Sequence, residues 1–175
     1  MSGTKIESGF RPEIQALRAV AVLLVIGFHL WPDRLAGGYV GVDVFFVISG
    51  YLITAHLLRE VKQTGTIGVT AFWARRIRRL LPAAFTVLAV CFVMAILWVP
   101  TGLWQQTFSE IAASAAYGVN WVLAFNSVDY QASGNNASIV QHYWSLSVEE
   151  QFYIVWPLLI VGAIALAAAS GRRKV

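Results

Sequence analysis

A single cysteine, Cys91, serves the whole 175-residue chain, so no disulfide can form within it and no cysteine-built metal cluster is available. Charge is scarce as well. Only 13% of the residues are charged against 58% hydrophobic, with mean hydropathy +0.64, and a soluble domain of this size needs more polar surface to cover its core. No nucleic-acid-binding motif accompanies the net charge of +4. A small-x-small cleavage pattern is also missing after the first apolar run, and a second long run follows within ten residues, so the first reads as a retained helix rather than a signal peptide.

What the chain has is long apolar blocks, at roughly 12–31, 37–58, 80–100, 107–125 and 143–169, against about 20 residues needed to cross the hydrocarbon layer. The expected fold is an all-α polytopic transmembrane bundle of four or five segments. It is framed by a polar tail at 1–11 and a basic tail at 171–175, with the membrane domain over 12–170. Cys91 falls inside an apolar block and reads as inert packing.

Pro12 and Glu13 suit a first helical turn, where proline's missing N–H costs nothing and an acid meets the positive dipole end. Lys5, Arg11 and Arg18 flank that start and predict a cytoplasmic N-terminus. Arg18 and His29 lie eleven positions apart, which on a helix puts them nearly on one face and roughly 16 Å apart. An ionisable group in such a helix marks a functional site by default; the plainer alternative is an interfacial histidine before the loop of Trp31 to Arg34. Gly37, Gly38 and Gly41 allow close backbone approach at the start of the second block. Asp43 then sits just inside hydrophobic sequence, either capping the helix or lying level with His29 and orienting its ring. Val44 to Ile48 looks β-prone, but an open strand in a bilayer leaves its backbone unsatisfied, so helix is predicted. Ser49 and Gly50 suit close helix packing.

Residues 56–81 read as a positive loop that carries Arg75, Arg76, Arg78 and Arg79 around a helix start. Positive-inside topology accounts for such a run, and guanidinium forks that hold phosphates account for it equally. A third helix is predicted over Pro82 to Val99. The fourth block is softer, with Gln105, Gln106, Ser109, Glu110 and Asn120. If it crosses, the basic Arg172, Arg173 and Lys174 fall outside, against the charge rule, so charge counting favours an interfacial or re-entrant block. A loop is expected over 126–142. Beyond it, His142, Ser145, Glu149 and Tyr153 follow at helical spacing, and one face gathers a base, a hydroxyl, an acid and a phenol beside Glu150. First-turn acids favoured by the helix dipole are the simpler account of Glu149 and Glu150.

The Arg18 to His29 spacing, Gly41-Val-Asp-Val-Phe-Phe-Val-Ile-Ser-Gly-Tyr-Leu-Ile-Thr54, Arg75-Arg-Ile-Arg-Arg79 and Trp144-Ser-Leu-Ser-Val-Glu-Glu-Gln-Phe-Tyr153 together resemble the bacterial integral membrane acyltransferase 3 family. The resemblance covers residues 10–160. It implies an inner-membrane protein that O-acylates cell-envelope carbohydrates, and a chain that is the N-terminal part of a protein of about ten spans. It also implies His29 as the catalytic base with Arg18 as partner, and acyl-CoA, most simply acetyl-CoA, as donor substrate held at Arg75, Arg76, Arg78 and Arg79. The acceptor is a glycan or lipid-linked sugar. No resident cofactor, metal or nucleic acid is expected. Asp43 and Glu149 are candidates to tune the histidine, and Tyr153, Ser145 and Arg18 to stabilise the developing oxyanion; His142 and Glu150 complete the candidate set. The residues alone also allow a proton-coupled transporter or exporter subunit built on Arg18, His29, Asp43 and Glu149, or an inactive fragment.

Overall fold

The computed structural model describes residues 11–128 and 137–172. All regular structure among them is helical: α1 (Pro12–Leu30), α2 (Val40–Thr64), α3 (Val69–Trp98), α4 (Trp104–Ala115), α5 (Val119–Val128) and α6 (Tyr143–Arg172), with short 3-10 turns at Ala36–Tyr39 and Thr101–Leu103. Four segments, Pro12–Leu30, Ala36–Thr64, Val69–Trp98 and Tyr143–Ser170, are long and apolar enough to cross a membrane. Their outward faces carry large apolar side chains such as Leu23, Val47, Trp98 and Leu166. The expected tails at 1–11 and 171–175 fall outside the described residues except for Arg11 and the helical Gly171 and Arg172.

Two compact units divide the chain, one through Leu58 and one from Arg59. In the first, α1 and the start of α2 pack backbone to backbone. A Cβ on Gly38 would collide with the Leu24 carbonyl and Phe28, and a Cβ on Gly41 with the Ala21 carbonyl. Only glycine permits that approach. At the other end of the pair, Arg11 Nη1 donates to the Tyr51 hydroxyl at 2.6 Å. These three contacts fix an antiparallel register in which 24 faces 38, 21 faces 41 and 11 faces 51. The β-prone string at Val44 to Ile48 is helical, as the membrane argument requires.

In the second unit the boundaries differ from expectation. The positive loop at 56–81 contracts to four residues, because α2 runs to Thr64 and α3 begins at Val69, well before Pro82. Gly65 turns the chain at φ +76°, and the Glu60 carboxylate accepts the Gly68 N–H at 2.9 Å. The arginine run therefore lies within α3. Pro82 lies inside the helix rather than at its start, and the fitting helix formers Ala, Arg and Leu on its N-terminal side outweigh one lost N–H. Ala84, Leu88, Cys91 and Ala95 form its buried stripe, packed with Ile111, Val119, Val140 and Tyr143. The 4-3-4 spacing with small side chains lets neighbouring helices close in, and Cys91 is packing, as expected.

The fourth block is two short helices, so it does not cross as a single one. The break is a helix-ending motif in which Gly118 N–H donates to the Ala113 carbonyl at 2.8 Å and Tyr117 N–H to Ser114 at 3.0 Å. Residues 126–128 continue α5 instead of opening a loop, and 129–136 lie outside the described residues. Glu110, almost wholly buried, accepts from Gln106 Nε2 at 3.0 Å and from the Ser138 hydroxyl, tying the turn before α6 to α4.

Pro157 explains a join between α3 and α6. Proline has no N–H for the carbonyl four residues back, Tyr153, and that oxygen accepts instead from Trp73 Nε1 at 3.1 Å. In a membrane a freed carbonyl needs such a neighbour. Higher up, the Tyr143 hydroxyl donates to the Ala84 carbonyl at 2.8 Å.

Candidate functional site

The first unit holds Arg18, His29 and Asp43. Arg18 is half-buried on α1, and His29 is exposed in its last turn. The His29 Nδ1 lies 2.8 Å from the Val25 carbonyl. A carbonyl only accepts, so Nδ1 carries the proton and Nε2 keeps its lone pair in the neutral ring. That is the arrangement a general base needs. Asp43 sits in the first turn of α2, exposed, where the helix dipole favours a carboxylate. The register puts it level with Ala19 and ~15 Å along the axis from His29. Among the described residues no hydrogen bond or ion pair joins Asp43 to His29. The expected matching depth fails because residues 31–39 double back along α1 before α2 begins.

The second unit holds the rest of the candidates, and three of them, Arg76, Glu150 and Tyr153, line a half-open cavity of about 540 Å³ between α3, α6 and the α4–α5 turn. Trp73, Arg76, Leu80, Tyr117, Glu150 and Tyr153 are among its walls. Of the four arginines, Arg75, Arg78 and Arg79 point outward and Arg76 turns in. Its guanidinium lies 3.4 Å from the Tyr153 ring centroid and 5.2 Å from that of Phe72, a cation–π sandwich that fixes the head without neutralising it. The Tyr153 hydroxyl donates to Glu149 Oε1. Glu150 lies within the electrostatic reach of Arg76 and Glu149, and its Oε1 is buried with no hydrogen-bond partner among the described residues. A buried carboxylate oxygen without a partner is costly. Burial pushes the Tyr117 phenol above its ordinary value, and the Glu150 charge adds to this, so the phenol stays a neutral hydroxyl near neutral pH.

The expected four-residue face at the start of α6 forms only in part. Glu149 and Tyr153 are paired, but His142 precedes the helix, with an exposed ring packed against Tyr143. Ser145 bonds the His142 carbonyl at 3.3 Å rather than its ring. Tyr117, Trp73 and Gln151 were absent from the sequence-based candidates. Pro157, four residues after Tyr153, was the one available sign of Trp73's role; Gly118 likewise marks the break beside Tyr117.

The second unit can thus hold a chain with an apolar stem and a polar or anionic head, and the first presents an imidazole with a free lone pair. No group of three or more metal-ligating side chains occurs among the described residues. The model of the acyltransferase domain family Acyl_transf_3 matches residues 11–174. The peptidoglycan O-acetyltransferase OatA of Listeria monocytogenes is 38% identical over 158 residues, which are 90% of this chain and 25% of that protein. The putative peptidoglycan O-acetyltransferase YrhL of Bacillus subtilis is 39% identical over 161 residues, 92% of this chain and 25% of that protein. A putative O-acetyltransferase of Staphylococcus aureus is 41% identical over 152 residues, 87% and 25%. No solved structure matches. The chain spans about a quarter of the length of these relatives, and its matched residues take in every candidate above, from Arg18 to Tyr153. It belongs to the acyltransferase 3 domain family.

Proposed function

We propose that this chain takes part in transferring an acetyl group from acetyl-CoA to a hydroxyl of a cell-envelope carbohydrate, with peptidoglycan the favoured acceptor. The observation that carries the reading is that two relatives over nine-tenths of its length are named as a peptidoglycan O-acetyltransferase and a putative one. In the reaction the acceptor oxygen attacks the thioester carbonyl, the C–O bond forms, the C–S bond breaks and the thiol leaves. His29 Nε2 takes the hydroxyl proton and returns it to the departing sulfur. Arg76 and its exposed neighbours Arg75, Arg78 and Arg79 hold donor phosphates, with guanidinium forks matched to that geometry. The pantetheine arm enters the cavity, its amides offering donors to Glu150.

Topology supports this division. A four-crossing arrangement, in which α4 and α5 do not cross, returns the C-terminal end of α6 to the side of Arg75–Arg79 and is the one the positive-inside tendency favours. The N-terminus and the arginine run then face the cytoplasm of a bacterial inner membrane, where acyl-CoA is made, and His29 lies toward the opposite face.

The test is acetate release from the cell wall of a strain lacking its own O-acetyltransferase. Expression of the protein restores base-labile acetate, and the His29→Ala form, inserted in equal amount, does not. Restoration by both forms would remove His29 from the chemistry. Solute movement without CoA release would favour a transporter instead.

A further inference from the structure

Gln151 makes four hydrogen bonds, and all four go to the α4–α5 junction. Its Nε2 donates to the Tyr117 carbonyl at 2.7 Å and to Asn120 Oδ1 at 2.9 Å. Its Oε1 accepts from Asn120 Nδ2 at 3.3 Å and from Trp121 Nε1 at 3.2 Å. A side-chain amide has two donor hydrogens and two acceptor lone pairs, so the group is saturated. Its orientation is unambiguous, since the indole can only donate and the backbone carbonyl can only accept.

The junction it grips is strained. Tyr117 stands at φ +53°, the one non-glycine residue with positive φ among the described residues. A helix ending of this kind normally places glycine there, and a bulky side chain in that conformation persists only where its surroundings over-determine it. Gln151 holds the carbonyl of that very residue. The same stretch, Ala115, Ala116 and Tyr117, lines the cavity together with Leu80, Leu81 and Phe85 of α3.

We propose that Gln151 is a positioning residue: by latching the α4–α5 turn to α6 it fixes the Ala115–Tyr117 wall and so sets the room open to the acyl chain of the donor. The inference rests on the cavity being the donor site. With the latch closed, Tyr117 and the two alanines bound the cavity at a fixed distance from α3, and a longer acyl chain meets that wall. Without it, the strained turn relaxes, the wall retreats and the chain-length limit weakens.

Two readouts in membranes carrying the full chain separate this proposal from the reading beneath it. The first needs no donor. In a Cys91→Ala background, a cysteine introduced by Ala115→Cys is labelled with a water-soluble maleimide, and adding Gln151→Leu or the isosteric Gln151→Glu is expected to change its labelling rate severalfold. An unchanged rate overturns the latch. The second compares acetyl-CoA with butyryl-CoA in competition. One methylene in an apolar pocket is worth roughly 10- to 200-fold in discrimination, and the Gln151 variants are expected to lose about fivefold or more of the preference for acetyl. A variant slowed equally with both donors overturns the proposal, since a merely structural loss lowers the amount of working protein without moving the ratio. Should Gln151→Leu fail to insert, Asn120→Ala removes the amide pair while leaving the Tyr117 and Trp121 bonds, and a smaller shift in the same ratio is expected; no shift counts against the latch. Absence of transfer by the unaltered chain overturns the donor reading, and the labelling then decides the latch alone.

Discussion

The two units achieve close helix packing by opposite means. In the first, Gly38 and Gly41 remove side chains so that α1 and α2 meet backbone to backbone, and the polar groups Arg18, His29 and Asp43 remain at or near the surface. In the second, polar side chains are drawn inward and several are paired there: Trp73 with the Tyr153 carbonyl, Gln151 with the α4–α5 turn, Tyr153 with Glu149, Ser138 with Glu110. A glycine crossing brings two helix backbones together, and a hydrogen-bonded network lines a cavity. The proposed function assigns the base to the first unit and the donor to the second.

Removing the base is the severest way to break that division. His29→Ala is expected to lower kcat for acetyl transfer by about 10²- to 10⁴-fold, with donor binding unchanged; steady-state kinetics on the membrane protein measure both. Next comes the post itself. Gly41→Val drives a β-branched side chain into the Ala21 carbonyl and is expected to cost about 3 kcal/mol, at the upper end for overpacking, read as a lowered detergent-resistant melting temperature. Arg76→Ala removes the one inward guanidinium and is expected to raise the donor KM about tenfold, the order of a lost charge-assisted hydrogen bond, while Arg78→Ala, whose side chain points outward, changes it by less than about threefold. Comparing the two sharpens the claim that a single arginine of the run reaches the cavity. The smallest effect belongs to the join between α3 and α6. Trp73→Phe leaves the Tyr153 carbonyl without a donor and is expected to lose about 1 kcal/mol, visible in the same melting assay.

Membrane residence and helical class were legible because a bilayer admits so few solutions: long uncharged runs must be helices. Two kinds of information were not. Register depends on where the chain doubles back, and nothing in Asp33 to Gly38 says that residues 31–39 return along α1, so Asp43 was matched with His29 when it lies level with Ala19. Inward or outward facing within a charge run depends on the partner helix; Arg76 differs from Arg75 and Arg78 only in meeting Tyr153 and Phe72. Pro82 misled because proline opens helices as readily as it sits inside membrane ones. The fourth block divides into two short helices, and the hydrogen bonds of Gln151 to Tyr117, Asn120 and Trp121 were not foreseen, since a glutamine after two glutamates carries no signal of its own.

The most direct test measures donor binding and donor turnover separately in His29→Ala and Arg76→Ala, by acetyl-CoA titration and by CoA release. Loss of turnover with unchanged binding in His29→Ala, and weakened binding with kcat within a few fold in Arg76→Ala, is the expected pattern. Equal loss of binding in both, or unaltered donor affinity in Arg76→Ala, would contradict the assignment of base and donor site to separate units.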